Sequence, residues 1–160
     1  MRAVLRLLTD HLTTALLIGV LASWWYQEWW LIGVALLTGW LIDADHLVDL
    51  GYYLRRCKPG AFQRSMLTSG GYFKLNNKVI VPLHSWELVA LWFCVWFSTG
   101  HTDVAITGAL AWGLHLLHDQ RSYRVTPLGY FFSFRLLRNF GYTGFCRGAA
   151  SSAKCVSQTK

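Results

Sequence analysis

Acidic and histidine side chains interrupt the apolar stretches of this sequence at four places. They are His11, then Asp43, Asp45 and His46, then His84 and Glu87, and finally His115 and Asp119. The pairs Asp43/His46, His84/Glu87 and His115/Asp119 have helical spacing, so each pair would share one face if a helix continues through it. Asp45 lies off that face and needs a break in the helix to join the others. Imidazole and carboxylate groups without a thiolate suit zinc, manganese or ferrous iron.

Ionisable side chains inside apolar stretches are costly and normally face a partner or a cavity, so this group predicts a functional site. The predicted metal ligands are His11, Asp43, Asp45, His46, His84, Glu87, His115 and Asp119. This set exceeds what one tetrahedral ion needs, so about two or three divalent ions are expected, with zinc favoured. Closely spaced ions can clamp an attacking hydroxide and a leaving oxygen. Glu87 or Asp45 is the predicted general base if it does not bind metal directly.

Simpler interpretations hold for some of the polar residues. A single buried histidine is usually a hydrogen-bonded core residue, so the metal prediction depends on the group as a whole. Asp49 is expected to pair with arginines at the membrane interface. His101 lies in a turn at the far end from the cluster and is expected to be solvated.

The elements that must position these residues are long apolar segments. Residues of the AVILMFWYC set make up 54% of the chain and charged residues only 14%, against about 25% charged residues in typical globular proteins. This composition excludes disorder and a charge-covered surface, and it indicates lipid as the main solvent. Membrane spans are predicted at about 3–22, 29–50, 79–98 and 104–118. The predicted fold class is therefore all-α: an integral membrane four-helix bundle in a single domain, 1–145, followed by a flexible tail, 146–160.

The 15 Lys and Arg residues predict the orientation of these spans. All of them lie at the N-terminus, in the central loop or after the fourth span, and the two short turns carry none. The positive-inside rule then places both termini, the basic central loop and the ionisable cluster on the cytoplasmic side of the cell membrane. The net charge of +7 favours an anionic lipid partner over nucleic acid. Arg55, Arg56 and Arg121 are the predicted contacts to such a substrate.

The segment 130–138 mixes aromatic residues with arginines after the fourth span. This pattern predicts either an interfacial segment on the inner leaflet or a helix packed on the cytoplasmic loop. The 4 cysteines include no C-x-x-C pair, so neither a zinc–thiolate site nor a disulfide framework is indicated.

The segment Asp43-Ala44-Asp45-His46 resembles the D-x-D-H motif of the YdjM-like membrane-bound metal-dependent hydrolases. In that family the motif follows an early His, precedes a His-Ser element, and is completed by a late helical His with a following Asp. The residues in those places, in order, are His11, His84-Ser85 and His115 with Asp119. Two departures are visible: Ile42 replaces a usual Pro, and Lys78-Val79 replaces a frequent His-Arg pair. The family is grouped with zinc-dependent phospholipase C and P1-type nucleases, so the resemblance implies phosphoester hydrolysis.

The expected function is a membrane-embedded, metal-dependent phosphoesterase that acts on a lipid or lipid-linked phosphate at the cytoplasmic leaflet. Two alternatives stay open, namely a metal-dependent amide or ester hydrolase of a lipid and a non-enzymatic metal-binding or transport protein. A transporter needs a polar path across the bilayer, whereas the outer halves of these spans lack ionisable groups. Hydrolysis is therefore favoured over transport.

Overall fold

A computed structural model describes residues 2–56, 73, 75, 77–123 and 125–146, without the side chains of residues 2–8 and 56. The helices run as follows: α1 Arg2–Tyr26, α2 Leu31–Gly39, α3 His46–Arg56, α4 Trp86–Ser98, α5 Thr102–Ser122, α6 Phe132–Leu137 and α7 Tyr142–Phe145. Among these residues there is no β-strand, only two isolated bridges, Lys78 with Gly141 and Val125 with Cys146. The predicted all-α class is confirmed. The central basic loop beyond Arg56 and the predicted tail fall almost entirely outside the described residues.

Helices α1, α2 and α5 converge at Gly39, the last residue of α2. A Cβ atom on Gly39 would lie 3.1 Å from the Cβ atoms of both Ala15 in α1 and Ala111 in α5. Ala15 and Ala111 are themselves buried. Only small residues allow backbones to approach this closely, so the three alanine and glycine positions set how near α2 lies to its two neighbours.

The segment that follows α2 is not a continuous helix, although span 29–50 was predicted across it. Trp40 leaves the helical region, with φ −127° and ψ −43°, and a 3₁₀ turn, Leu41–Asp45, leads into α3. The Thr38 hydroxyl donates to the Val34 carbonyl at 2.8 Å, a bond that bends helices. Because the turn changes the angular spacing of the side chains, Asp43 and Asp45 approach the site from different directions.

Helix α4 begins at Trp86, later than the predicted start of the third span at residue 79. Residues 79–85, called here the His84 loop, are non-helical. Pro82 explains why no helix runs through Val81, because proline lacks an amide donor and disfavours helical geometry in the residue before it. His84 and Glu87 therefore do not share a helical face, and their side chains point to different partners.

One described stretch, Leu31–Arg55, is long and apolar enough to cross a membrane by length and composition. Helix α4 is apolar but shorter. Large apolar side chains are nevertheless exposed along the outer faces of several helices, among them Leu17, Leu21, Leu37, Leu91, Phe97 and Leu110. All four membrane spans, and the four-helix membrane bundle that they would form, remain predictions.

The buried core lies at the end of the molecule where the His84 loop meets residues 125–146. Its members are Ile42, Val79, Val81, Trp112, Leu116, Val125, Tyr130 and Phe145. Within segment 130–138, helix α6 packs against the His84 loop through Arg135, while the Leu137 side chain is 86% exposed. The packing partner is the His84 loop; both predictions made for the segment, a position on the inner leaflet and packing on the central loop, remain predictions.

Candidate metal centre

Asp43, His84, His115 and Asp119 form a group whose ligand atoms all lie within 4.8 Å of one another. They come from three separate elements: the 3₁₀ turn, the His84 loop and the C-terminal half of α5. His84, His115 and Asp119 are buried. The side chain of Asp43 retains 23% exposure and marks the open side of the group.

Five of the six distances among these four atoms match the edges of a metal tetrahedron, and the sixth, between Asp43 and Asp119, is at most 4.8 Å. His84 Nε2 lies 3.2 Å from His115 Nε2, 3.5 Å from Asp43 Oδ1 and 3.3 Å from Asp119 Oδ2. His115 Nε2 lies 3.3 Å from Asp43 Oδ1 and 3.4 Å from Asp119 Oδ2. A tetrahedral zinc ion with bonds of about 2.0–2.1 Å requires ligand atoms about 3.3–3.4 Å apart. The residues present fit such an ion.

The partners of the two Nδ1 atoms fix which imidazole nitrogens face each other. His115 Nδ1 lies 2.8 Å from the Gly39 carbonyl oxygen, which can only accept, so Nδ1 donates. His84 Nδ1 lies 3.1 Å from the Asp45 carboxylate and donates to it in the same way. In the neutral tautomer both Nε2 atoms then carry lone pairs directed into the group. Such outer hydrogen bonds are the usual means of orienting metal-binding histidines.

His11 adds a third buried imidazole beside this group. Its Nε2 lies 3.0 Å from Asp119 Oδ1, while Asp119 Oδ2 is the oxygen directed toward His84 and His115. The His11 ring stacks on that of His115 at a centroid distance of 4.0 Å. His11, a predicted ligand, thus lies beside the group, but it contacts the second oxygen of Asp119 and belongs to neither set of converging ligand atoms.

His46 lies on the open side of the group. Its Nε2 is 3.7 Å from Asp43 Oδ1, and its side chain is 35% exposed. With Asp45 and His84 it forms a second set of ligand atoms within 4.8 Å of one another. The two sets share His84, so the described residues bring together seven of the eight predicted ligands at one place.

Asp45 supports His84 through three contacts. Besides the contact to His84 Nδ1, its Oδ2 accepts from the backbone amides of Leu83 at 2.7 Å and His84 at 3.3 Å. All three contacts involve Oδ2 and orient the imidazole ring, whereas Oδ1 is buried without a hydrogen bond. The structure therefore places Asp45 behind His84 rather than beside the facing Nε2 atoms.

Glu87 is the predicted ligand and base that the structure does not bring to the group. Its Oε1 accepts from the Ser133 amide at 2.9 Å and hydroxyl at 2.7 Å. Its Oε2 accepts from the Phe132 amide at 2.9 Å and the Ser85 hydroxyl at 2.7 Å. Glu87 therefore accepts hydrogen bonds from the amides at the start of α6. Because α4 begins only at Trp86, Glu87 does not share a helical face with His84.

The sequence analysis missed the role of Asp49 and did not consider Arg135. Asp49 is buried and accepts from the Ile80 amide at 2.8 Å and the Val81 amide at 2.7 Å. Arg135 is buried as well and donates to carbonyl groups of the same loop. Burial lowers the pKa of the Arg135 guanidinium from its ordinary value, and the negative charges of Asp45 and Asp49 oppose this. Arginine remains charged under such conditions.

The predicted substrate-binding arginines are not members of the buried group. Arg55 is exposed on the last turn of α3, and Arg121 is exposed on the last turn of α5. The side chain of Arg56 lies outside the described residues. His101, expected to be solvated, is exposed at the start of α5.

No protein-family model, curated protein or solved structure matches this chain. The site therefore has to be interpreted from its own geometry.

Proposed function

We propose that this protein is a membrane-embedded, metal-dependent hydrolase, and that its substrate is a phosphoester of a lipid or lipid-linked phosphate. The observation that carries the proposal is the pair of buried Nε2 atoms, 3.2 Å apart on His84 and His115. When both imidazoles are neutral, two lone pairs at this distance repel each other, and the adjoining carboxylates of Asp43 and Asp119 are then buried without a compensating charge, which is costly. A divalent cation satisfies all four groups at once.

The ion would be held by Asp43, His84, His115 and Asp119, with zinc favoured and manganese or iron as alternatives. When bound, it would supply the Lewis acidity that activates water for attack on an ester. Asp45 and the Gly39 carbonyl keep the two imidazole rings oriented. His11 holds the second oxygen of Asp119 in place.

Water and substrate would reach the group from the side of Asp43 and His46, where the side chains retain exposure. The other ligand side chains are at most 3% exposed. His46 is therefore the residue we assign to proton transfer at this open side, in place of Glu87, whose oxygens are engaged at α6. Asp43 then serves both as a ligand and as the boundary of the opening.

The exposed apolar surface supports a membrane location. Soluble proteins rarely expose contiguous apolar patches larger than a few hundred Å², yet this chain exposes leucine, tryptophan and phenylalanine side chains along α1, α2, α4 and α5. The distribution of Lys and Arg favours a cytoplasmic orientation of the site. Lipid headgroups at the inner leaflet would then lie at the level of the cluster. Arg55 and Arg121, which follow Asp45 and Asp119 in the sequence, are the arginines proposed to contact them.

The proposed relation to the YdjM-like hydrolases gains support from the placement of the motif residues. His11, the D-x-D-H segment, the His-Ser element and the His115/Asp119 pair come from distant parts of the sequence and meet in one site. The family's grouping with phospholipase C is what favours a phosphoester over an amide or an acyl ester.

Hydrolysis is tested with the full chain purified into lipid nanodiscs. With zinc added, the protein should cleave a phosphate ester of a lipid, lose this activity on chelation and regain it on adding zinc back. Asp43→Asn should remove the activity, whereas Asp103→Asn, at the far end of α5, should not. Cleavage of only amides or acyl esters by the metal-loaded protein would replace the phosphoesterase with the alternative hydrolase, and bound metal without any hydrolysis would favour a metal-binding or transport role.

The orientation is tested in a variant without the native cysteines. A cysteine at Thr102 should react with an impermeant thiol reagent from outside intact cells, and a cysteine at Ser69 should not. The reverse pattern would move the site to the outer leaflet.

A further inference from the structure

The His84 loop is held by charged side chains on two sides. Its amides at Ile80 and Val81 donate to Asp49, and those at Leu83 and His84 donate to Asp45. Three of its carbonyl groups accept from one residue, Arg135, and the Leu83 carbonyl accepts from Trp112 Nε1. The loop therefore lies between two carboxylates and a guanidinium, and all three are buried.

Arg135 makes three hydrogen bonds to the loop backbone. Its Nη1 donates to the carbonyls of Ile80 at 2.7 Å and Val81 at 2.9 Å, and its Nη2 donates to the His84 carbonyl at 2.7 Å. The planar, multi-donor guanidinium suits this pattern, whereas a lysine ammonium is a point charge on a flexible stem. One side chain thus links both ends of the segment that contains Pro82 and His84.

The loop backbone needs such support. Val81, a β-branched residue that precedes a proline, has a φ of +21°, outside the regions that such residues favour. Conformations of this kind persist when the surrounding contacts over-determine them. Both the amide and the carbonyl group of Val81 are held, the first by Asp49 and the second by Arg135.

Arg135 is itself positioned by the start of α6. The Glu87 carboxylate accepts from the amides of Phe132 and Ser133, which fixes the first turn of the helix that carries Arg135. The Arg135 guanidinium also lies 5.8 Å from the centroid of the Phe132 ring. The C-terminal segment is in this way joined to the loop that presents His84.

We propose that Arg135 is a positioning residue of the metal centre: it holds the His84 loop in the shape in which Nε2 of His84 faces His115. The proposal rests on the metal centre of the proposed function but not on the reaction. The C-terminal segment that carries α6 then contributes to the geometry of the metal site through Arg135.

The test compares Arg135→Lys and Arg135→Met with the matched pair Arg138→Lys and Arg138→Met. Arg138 follows the same helix and lies over the Phe134 ring, but it is exposed. Zinc affinity is measured by competition with a chromophoric chelator on the full chain in detergent micelles. Both Arg135 variants should bind zinc about 10- to 100-fold more weakly, the range seen for partners that orient metal ligands, and both Arg138 variants should bind as the original protein does.

The thermal midpoint with and without zinc separates positioning from a purely structural role. If Arg135 positions His84, the rise in midpoint on adding zinc should shrink in Arg135→Lys. If it only stabilises the fold, both midpoints fall together and the zinc affinity is unchanged, which would overturn the proposal. Should Arg135→Met fail to fold, Arg135→Lys decides alone. Failure of the original protein to bind zinc would overturn both this proposal and the proposed metal centre, whereas unchanged affinity in the variants would overturn only this one.

Discussion

The two ends of α5 carry the same residue types in opposite surroundings. At one end, His115 and Asp119 are buried and contact His84, Asp43 and the Gly39 carbonyl. At the other end, His101 is exposed and its ring meets the edge of the Trp96 ring. About 20 Å of helix separates the two histidines. The comparison shows that partners and burial, rather than residue type, decide which histidine can hold a metal.

The largest expected difference between the two ends of α5 is the effect of removing a metal ligand on zinc affinity. His115→Ala deletes one of the two facing Nε2 atoms, so metal affinity should fall by more than about 100-fold, beyond the loss typical of orienting partners. Its thermal midpoint in the presence of zinc should fall too, because metal binding contributes folding free energy. His101→Ala should change neither quantity. Equal effects of the two substitutions on bound metal, measured after dialysis, would remove the distinction between the ends.

Removing an orienting charge should have the next largest effect. Asp45→Asn keeps the shape of the side chain but weakens the acceptor for His84 Nδ1, and zinc affinity should fall about 10- to 100-fold. Asp103→Asn is the matched change in the first turn of α5 and should leave the affinity as it is. Calorimetric titration of both variants checks this. Complete loss of zinc binding in Asp45→Asn would instead identify Asp45 as a direct ligand.

A third substitution tests the packing behind the cluster. Gly39→Ala places a methyl group 3.1 Å from Ala15 and Ala111, so the helices must separate and the Gly39 carbonyl must move away from His115. Overpacking of this kind costs about 1–3 kcal/mol, and the thermal midpoint should fall accordingly. Gly33→Ala, in the same helix with open space around it, should raise stability by about 0.5–1 kcal/mol. A lower midpoint in Gly33→Ala than in Gly39→Ala would contradict the packing described for α2.

The smallest effect is expected at Glu87, which lies near the cluster in sequence but not in space. Glu87→Gln keeps one carbonyl acceptor and loses the charge at the start of α6, so stability should fall by about 0.5–2 kcal/mol. Zinc content should fall less than in Asp45→Asn. A zinc loss as large as that of His115→Ala would restore Glu87 as a ligand.

The sequence alone predicts the all-α class. It also predicts that the polar groups gather at one common end of the helices. Four separate clusters fall at matching depths in the apolar stretches, and that pattern is visible without any structure. It places His11, Asp43, His84, His115 and Asp119 correctly in one region, because each lies near the matching end of successive apolar stretches. The need for a helix break at Asp45 is likewise visible from helical spacing.

The remaining part of the site depends on contacts between residues far apart in the chain. Pro82 indicates that no helix runs through Val81, but a helix could still begin at Pro82, so this signal does not separate Glu87 from His84. No such signal exists for Arg135, since an arginine among aromatic residues fits a lipid interface equally well. Its carbonyl partners lie more than 50 positions earlier in the sequence and become apparent only when the chain is folded.

The central claim is that two imidazoles and two carboxylates hold a divalent ion at one end of this molecule. Elemental analysis of the full chain, purified without added metal, combined with X-ray absorption at the zinc edge, tests it most directly. The account predicts a stoichiometric amount of metal bound by nitrogen and oxygen atoms at about 2.0–2.1 Å, lost on changing His84 or His115. A protein that carries no metal and takes up none when zinc is supplied, or one whose metal is bound by sulfur, would contradict it.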